Sequence, residues 1–455
     1  MVPYFKKSLL FLYFLICFQA VNAQSTTTSL KELLQLATAN YPLLRSKALE
    51  IQAAQKNVTT GKNTLIPSLD ASYQVNYATY NNITGMAYPQ FLVPISGPPS
   101  AGNNYSGVFG SAGSLLLNWQ PVTFGQRQSQ VNFAQAGVQY ARADAQNEIF
   151  QHKVRVINAY LDVLTAIELE KTYQENLTRT FASLAVAKTL VINGIKPGVD
   201  TALLKAEVSR AKVELLNNRK YKEQTLIALS GLLATDTLPS FSDTSYFSRI
   251  PSAYIISDTT KNPLLSLYSS TIELSKERKK VLSKTTMPTL GLWGTAYARG
   301  SGIDNNGIVK TTDGLAFQRY NYGVGLQLSI PILQFARVRS QLQQQTLLVR
   351  SGEEKLNEAA LQIRKQNELA DTTLNTALNV VKETPLFYES ASFSYKALQS
   401  RYQSGLANFA DLVQAQYALV KAATDNKTAY MAVWKALLYK AAVNGDLNLF
   451  LNQVN

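Results

Sequence analysis

Chemistry has few places to sit in this chain. His152 is its only histidine and Cys17 its only cysteine. A Ser-His-Asp triad needs a histidine with partners, and zinc or haem sites need several His or Cys donors, so neither is supported. Carboxylates could still do acid–base work. Here they fall on helical surfaces at pairing distance from bases, as Glu354 and Glu358 do beside Lys355. The short run Gly110-Ser111-Ala112-Gly113 lies in a strand-like stretch, where small residues suit packing, rather than in a phosphate loop. His152 reads as a polar helix residue. No catalytic residue, metal or cofactor is expected.

Two acids stand out by position instead. Asp200 lies six residues after Gly194, and Asp411 lies six residues after Gly405. Each glycine interrupts a helical pattern, and each aspartate sits where a new helix starts. Aspartate is favoured as an N-cap there, so capping competes with any role for the free carboxylate.

The elements around these breaks occur twice. Pro42 and Pro67 match Pro263 and Pro288 at a common offset of 221 residues. Pro121 with Arg127 matches Pro331 with Arg337 at 210, and the two Gly-x5-Asp breaks match at 211. The offset shortens only across residues 81–104 and 300–318, where connecting loops differ in length. We read residues 1–23 as a separate segment, 24–260 as a first repeat and 261–455 as a second. The first has a helix from Ser29 to about Lys62, a β-hairpin at about 66–119, a long helix at about 123–193, a tip, a return helix at about 200–230 and a linker. The second has a helix from Pro263 to about Lys284, a hairpin at about 287–331, a long helix at about 334–404, a tip, a return helix at about 411–443 and a tail.

The strands alternate with period two. Leu69, Ala71, Tyr73, Val75 and Tyr77 interleave with Asp70, Ser72, Gln74 and Asn76, and Tyr320 to Ile330 does the same. The strand ending at Trp119 alternates less cleanly, and Leu290 to Arg299 is the weakest of the four. One apolar and one polar face suits a wide barrel in lipid around a wet lumen, or a soluble sandwich with one solvated face. In lipid, four strands cannot close a wide barrel and an open edge is not tolerated. A membrane reading therefore requires several chains to share one barrel.

The helices are unusually long. A run of about 70 residues spans roughly 105 Å at 1.5 Å per residue. Val138, Ala141, Ala145, Ile149, Val156, Tyr160, Val163 and Ile167 form an alanine-rich stripe at three- and four-residue steps, as along a coiled-coil seam. Pro385 falls inside the second long helix and is expected to kink it.

Residues 1–23 read as a signal peptide: Lys6 and Lys7, an apolar run from Leu9 to Phe18, then Val21-Asn22-Ala23. Cleavage is expected after Ala23. Ile16 precedes Cys17 where a lipidation box wants a small residue. Removing Lys6 and Lys7 lowers the formal charge from +14 to +12. The bases lie beside acids along helices, as at Glu168, Glu170, Lys171, Glu175 and Arg179, so they read as solvated faces and no nucleic acid partner is expected.

Taken with this order of parts, the run Asn158-Ala159-Tyr160-Leu161-Asp162-Val163-Leu164 and the paired Gly-x5-Asp breaks resemble the TolC-type outer-membrane efflux proteins. The resemblance covers essentially the whole chain after residue 23. It implies a mixed, mostly helical fold in which three chains share a 12-stranded barrel, four transmembrane strands from each, above a helical tunnel crossing the periplasm. It implies a homotrimer in the outer-membrane lipid, partnered by a periplasmic adaptor and an inner-membrane transporter, conducting cargo passively. The breaks become hairpin tips, with Gly194, Ile195, Gly405 and Leu406 as adaptor-docking residues. Arg401-Tyr402-Gln403-Ser404-Gly405 resembles the segment carrying a gating tyrosine, so Tyr402, Asp200 and Asp411 become constriction residues. Two departures stand out. Ala407 occupies the place of a latch arginine, and Gln414 that of a second aspartate. The competing reading is a secreted or surface structural coiled-coil protein, which would not need the duplicated hairpin-plus-helix order.

Overall fold

A computed structural model describes residues 29–79, 102, 105–239, 241, 243–252, 261–303 and 308–454. Residues 1–23, read above as a signal peptide, with Cys17 among them, and most of the first inter-strand loop lie outside them. The chain divides into two compact units, Ile51–Tyr140 with Ser270–Glu353, and Met1–Glu50 with Ala141–Ser269 and Glu354–Asn455.

Both halves contain a helix, two strands, a long helix and a return helix, with an extra helix opening the first and a short one closing the second. In the first these are helices α1 (Leu30–Asn40) and α2 (Pro42–Asn63), strands β1 (Ser68–Thr79) and β2 (Gly107–Val122), then α3 (Gln126–Ile192) and α4 (Gly198–Leu233). In the second they are α5 (Pro263–Lys284), β3 (Thr289–Ser301), β4 (Arg319–Ser329), α6 (Gln334–Gln403), α7 (Phe409–Asn444) and a short α8 (Asn448–Leu451).

One expectation about the helices changes. The single helix from Ser29 is two helices, because Tyr41 precedes Pro42 and is pushed to extended backbone (ψ 120°). Ser29 starts the first of them with a capping box: its Oγ accepts from the Glu32 N–H while Glu32 Oε2 accepts from the Ser29 N–H at 3.0 Å. Pro385 lies inside α6, which stays helical through it. A proline removes one backbone bond, and its neighbour Thr384 is anchored to Asn426 of α7 at 3.1 Å.

In the strand-bearing unit the four strands form one antiparallel sheet in the order β1-β2-β3-β4. Residues paired across antiparallel strands share a face, so the register sorts every side chain. Tyr73 pairs with Gly113, Gly113 with Ala298, and Ala298 with Tyr320. Ala71, Leu115, Ala296 and Tyr322 make the next row, and Leu69, Leu117, Gly294 and Val324 the one after. One face is thus apolar across all four strands, including the less regular β2 and β3. The opposite face carries Ser72, Ser114, Tyr297 and Asn321 in one row, with Ser72 and Ser114 hydrogen-bonded at 2.7 Å. Gly325 is required there, because a Cβ on it would lie 2.6 Å from the Trp293 indole. Most of this apolar face is exposed, with Tyr322, Val324 and Leu326 prominent on it, while the turn Thr311–Leu315 covers its loop end.

The helical unit holds the main core. Val156, Ile157, Tyr160, Leu161 and Leu164 of α3 pack with Leu229 and Leu233 of α4 and with Trp434, Leu437 and Leu438 of α7. An aromatic series, Tyr160, Tyr246, Trp434 and Phe450, runs edge-to-face through it, and Trp434 donates its indole N–H to the Tyr246 carbonyl at 3.1 Å. His152 is a polar residue of α3, as expected. It is fully buried and stacks on Tyr41 with ring centroids 4.0 Å apart.

Candidate functional site: the tips of the two helical hairpins

α3 with α4 and α6 with α7 form the two hairpins. Leu177, Leu184 and Ala187 of α3 pack against Leu204, Val208 and Ala211 of α4. Tyr395 and Tyr402 of α6 pack with Leu412, Ala415 and Leu419 of α7.

Both tips use the same local device. Gly194 has φ +73° and Gly405 φ +77°. At the first, the Ile195 N–H donates to the Leu190 carbonyl (2.9 Å) and the Gly194 N–H to that of Val191 (3.0 Å). At the second, Leu406 donates to Arg401 (2.8 Å) and Gly405 to Tyr402 (3.1 Å). These are paired Schellman closures, in which glycine accepts the left-handed conformation at little cost. Nothing lies within 4 Å of a Cβ at either glycine, so conformation and not space is the reason for the residue. Ile195 (56% exposed) and Leu406 (72%) project from the tips.

Neither aspartate is the N-cap. Pro197 occupies that position in α4 and Asn408 in α7, where its side chain accepts from the Asp411 N–H at 2.8 Å. Each aspartate sits three residues further in, and its carboxylate is not used as the cap. Asp200, 7% exposed, accepts the Tyr402 hydroxyl at 2.9 Å, and Tyr402 is 1% exposed. Burial first, then the bond to Asp200, pushes the phenol well above its usual range, so it stays protonated and keeps donating at physiological pH. Asp411 is exposed and joins no ion pair among the described residues.

Residues outside the sequence-derived set complete the contact between the hairpins. Lys196 donates to the Ala407 carbonyl at 2.9 Å and lies 5.0 Å from the Tyr402 ring centroid. A cation thus arrives at position 407 from the opposite tip. Further up, the Tyr417 hydroxyl donates to Glu207, and Arg210 stacks over its ring at 4.0 Å while donating to its hydroxyl. Burial, then that bond to Glu207, pushes the Tyr417 phenol up to about 12. Deeper still, Gln416 donates to Asn176 at 3.1 Å.

A ladder of ion pairs carries the tie along the hairpins. Glu170 accepts from Lys222 (2.7 Å) and Arg219 (2.9 Å), and Glu168 pairs with Lys427 (2.8 Å) and Lys171 (3.0 Å). The bond from Lys222 leads in holding the Glu170 carboxyl below its usual range. For Glu168, burial pulls upward, and Lys427 and Lys171 more than offset it. A depressed carboxylate contributes stability above its ordinary value of 4.5 and loses it as pH falls through the depressed one. The midpoint of thermal loss of helical circular dichroism is therefore expected to fall below about pH 4.5. Replacing Glu168 and Glu170 together by Gln should flatten that fall, and an unchanged acid limb would assign it elsewhere.

The model of the family described as Outer membrane efflux protein matches residues 33–235 and 262–432, one stretch in each repeat. The chain belongs to that family. Solved structures with this fold include CusC, described for folding and transmembrane channel formation (13% identity, 92% of this chain and 93% of that one, TM-score 0.74). The Campylobacter jejuni CmeC outer membrane channel matches at 14% identity over 91% and 85% of the two chains, TM-score 0.72. The open state of the Neisseria gonorrhoeae MtrE outer membrane channel matches at 15% over 92% and 89%, TM-score 0.67. No curated protein sequence matches significantly. By the description of its family, this chain is an outer membrane efflux protein. The TolC-type resemblance read from the sequence is the relationship that the family match establishes.

Proposed function

We propose that three copies of this chain share a 12-stranded barrel and conduct cargo passively, docked to a periplasmic adaptor and driven by an inner-membrane transporter. One observation carries the reading: an unbroken apolar face on a four-stranded sheet whose edge strands, β1 and β4, each pair on one side only. In lipid those unpaired N–H and C=O groups need partners. Another copy offers them, β4 against β1, and three copies close the ring. The strands, 11–16 residues long, reach or exceed the roughly 9–11 that a tilted strand needs to span the bilayer core.

In this arrangement the tips are the gate. Tyr402 and Asp200 clasp the two hairpins of one chain, and Lys196 bound at Ala407 takes the place of the missing latch arginine. Three exposed Asp411 carboxylates would line the constriction, weaker as a ring for having Gln414 beside them. Gly194 with Ile195 and Gly405 with Leu406 present the adaptor surface. Detergent extracts of outer membranes should contain trimers that dissociate on heating. Purified protein running as a detergent-free soluble monomer would sink the proposal.

A further inference from the structure

The polar face of the sheet carries a second charged feature, at the opposite end from the helices. Arg299 of β3 pairs directly with Arg319 of β4, and the row continues through Ala112 to Gln74. Like charges opposite one another across a sheet are unfavourable unless something anionic meets them. Among the described residues neither arginine joins an ion pair, and the one hydrogen bond from their guanidinium groups runs from Arg319 to the Gln318 carbonyl at 3.1 Å. Asp70 is the only acid on that face of the four strands. It lies two rows away, paired with Leu116 in the row of Thr295 and Gly323. Four residues along a strand is about 14 Å, beyond the screening length of about 8 Å at physiological salt. The short turn Thr311–Leu315, which brings Asp313, lies over the other face, since a Cβ on Gly300 would meet the Ala316 carbonyl oxygen at 2.0 Å. Residues 80–104 contain no charged side chain, and Asp304 is the remaining acid between β3 and β4.

We propose that Arg299 and Arg319 form an anion-binding station for phosphate- or carboxylate-bearing solutes at the loop end of the lumen. The inference rests on the shared-barrel reading, which sets six guanidinium groups in one ring. Arginine suits the role because its planar fork holds carboxylate and phosphate oxygens in pairs and it stays charged at any working pH.

The test is single-channel recording of the full chain in neutral phosphatidylcholine bilayers, which offer no anionic headgroup, with tripolyphosphate added to either side. Wild-type channels are expected to be blocked from one side. In the R299Q/R319Q variant the blocking concentration should rise at least about tenfold, while R299K/R319K should stay closer to wild type because charge is kept and only the fork is lost. Equal block in wild type and R299Q/R319Q would overturn the station. So would an unblocked wild type, and if D304N then restored block, Asp304 would be identified as the native counter-ion. Absence of any channel would overturn the shared barrel itself, a distinct result.

Discussion

Tyr402→Phe is expected to raise the open probability of the channel in planar bilayers by one to two orders of magnitude. The substitution removes one hydroxyl and leaves the ring, so packing with Leu412 and Leu419 is kept. What is lost is the bond at 2.9 Å to Asp200, a carboxylate only 7% exposed. A hydrogen bond to a charged group is worth about 1.5–3 kcal/mol, and stranding the acceptor in a dry site adds to the loss. Each 1.4 kcal/mol is about tenfold in an equilibrium, so a clasp made only in the closed state shifts gating by roughly 10- to 100-fold for each tip released. Asp200→Asn should do less, because an amide oxygen can still accept from Tyr402. Lys196→Ala, which removes a contact to a carbonyl and a partly solvated ring contact, should do less again. Closed-state traces identical to wild type in Tyr402→Phe would mean that the clasp does not hold the gate.

The ingredients of this clasp were legible singly, while their pairing was not. The glycine breaks, the duplicated order and the long helices follow from local chemistry: period-two strands, the three- and four-residue stripe and the special backbone of glycine. Contacts between repeats depend on how two hairpins lie side by side, which no local pattern encodes. Yet the repeat offset held a clue. Lys196 meets Ala407, its own counterpart 211 residues on, and Glu207 meets Tyr417 at a separation of 210. Similar hairpins packed as neighbours bring matching levels together, so a search among residues near that offset would have found both pairs.

The same offset accounts for the unequal fates of the two aspartates. Asp200 faces Tyr402, whose counterpart in the first repeat, 211 positions earlier, is Val191. A valine at the equivalent place offers no hydroxyl for Asp411 to accept. One carboxylate is consequently buried in a bond and the other left exposed. Capping was a sound expectation by position and failed for a local reason, because Asn408 stands three residues before Asp411 and takes its N–H. The break at Tyr41 was legible in principle, since proline constrains the residue before it; the apolar periodicity running across Pro42 concealed it.

Placing a charge on the apolar sheet face should have the largest effect on assembly. Val324→Arg sits near the middle of β4, in the row with Gly294, Leu117 and Leu69. Arginine facing lipid at mid-membrane costs about 2–4 kcal/mol per chain, and three chains add to roughly 6–12. That rivals the whole net stability of an ordinary domain, about 5–15 kcal/mol, so heat-modifiable trimers should nearly vanish from the outer membrane. Gln327→Arg provides the contrast. It lies three residues along the same strand on the polar face, opposite Gly291, where an added guanidinium meets water. Trimer yield should then stay close to wild type. The pair separates a membrane barrel from a soluble sandwich, because a sandwich would bury the apolar face against protein in a water-soluble particle and tolerate no difference in lipid dependence. Equal trimer yields from the two variants would place the apolar face somewhere other than lipid.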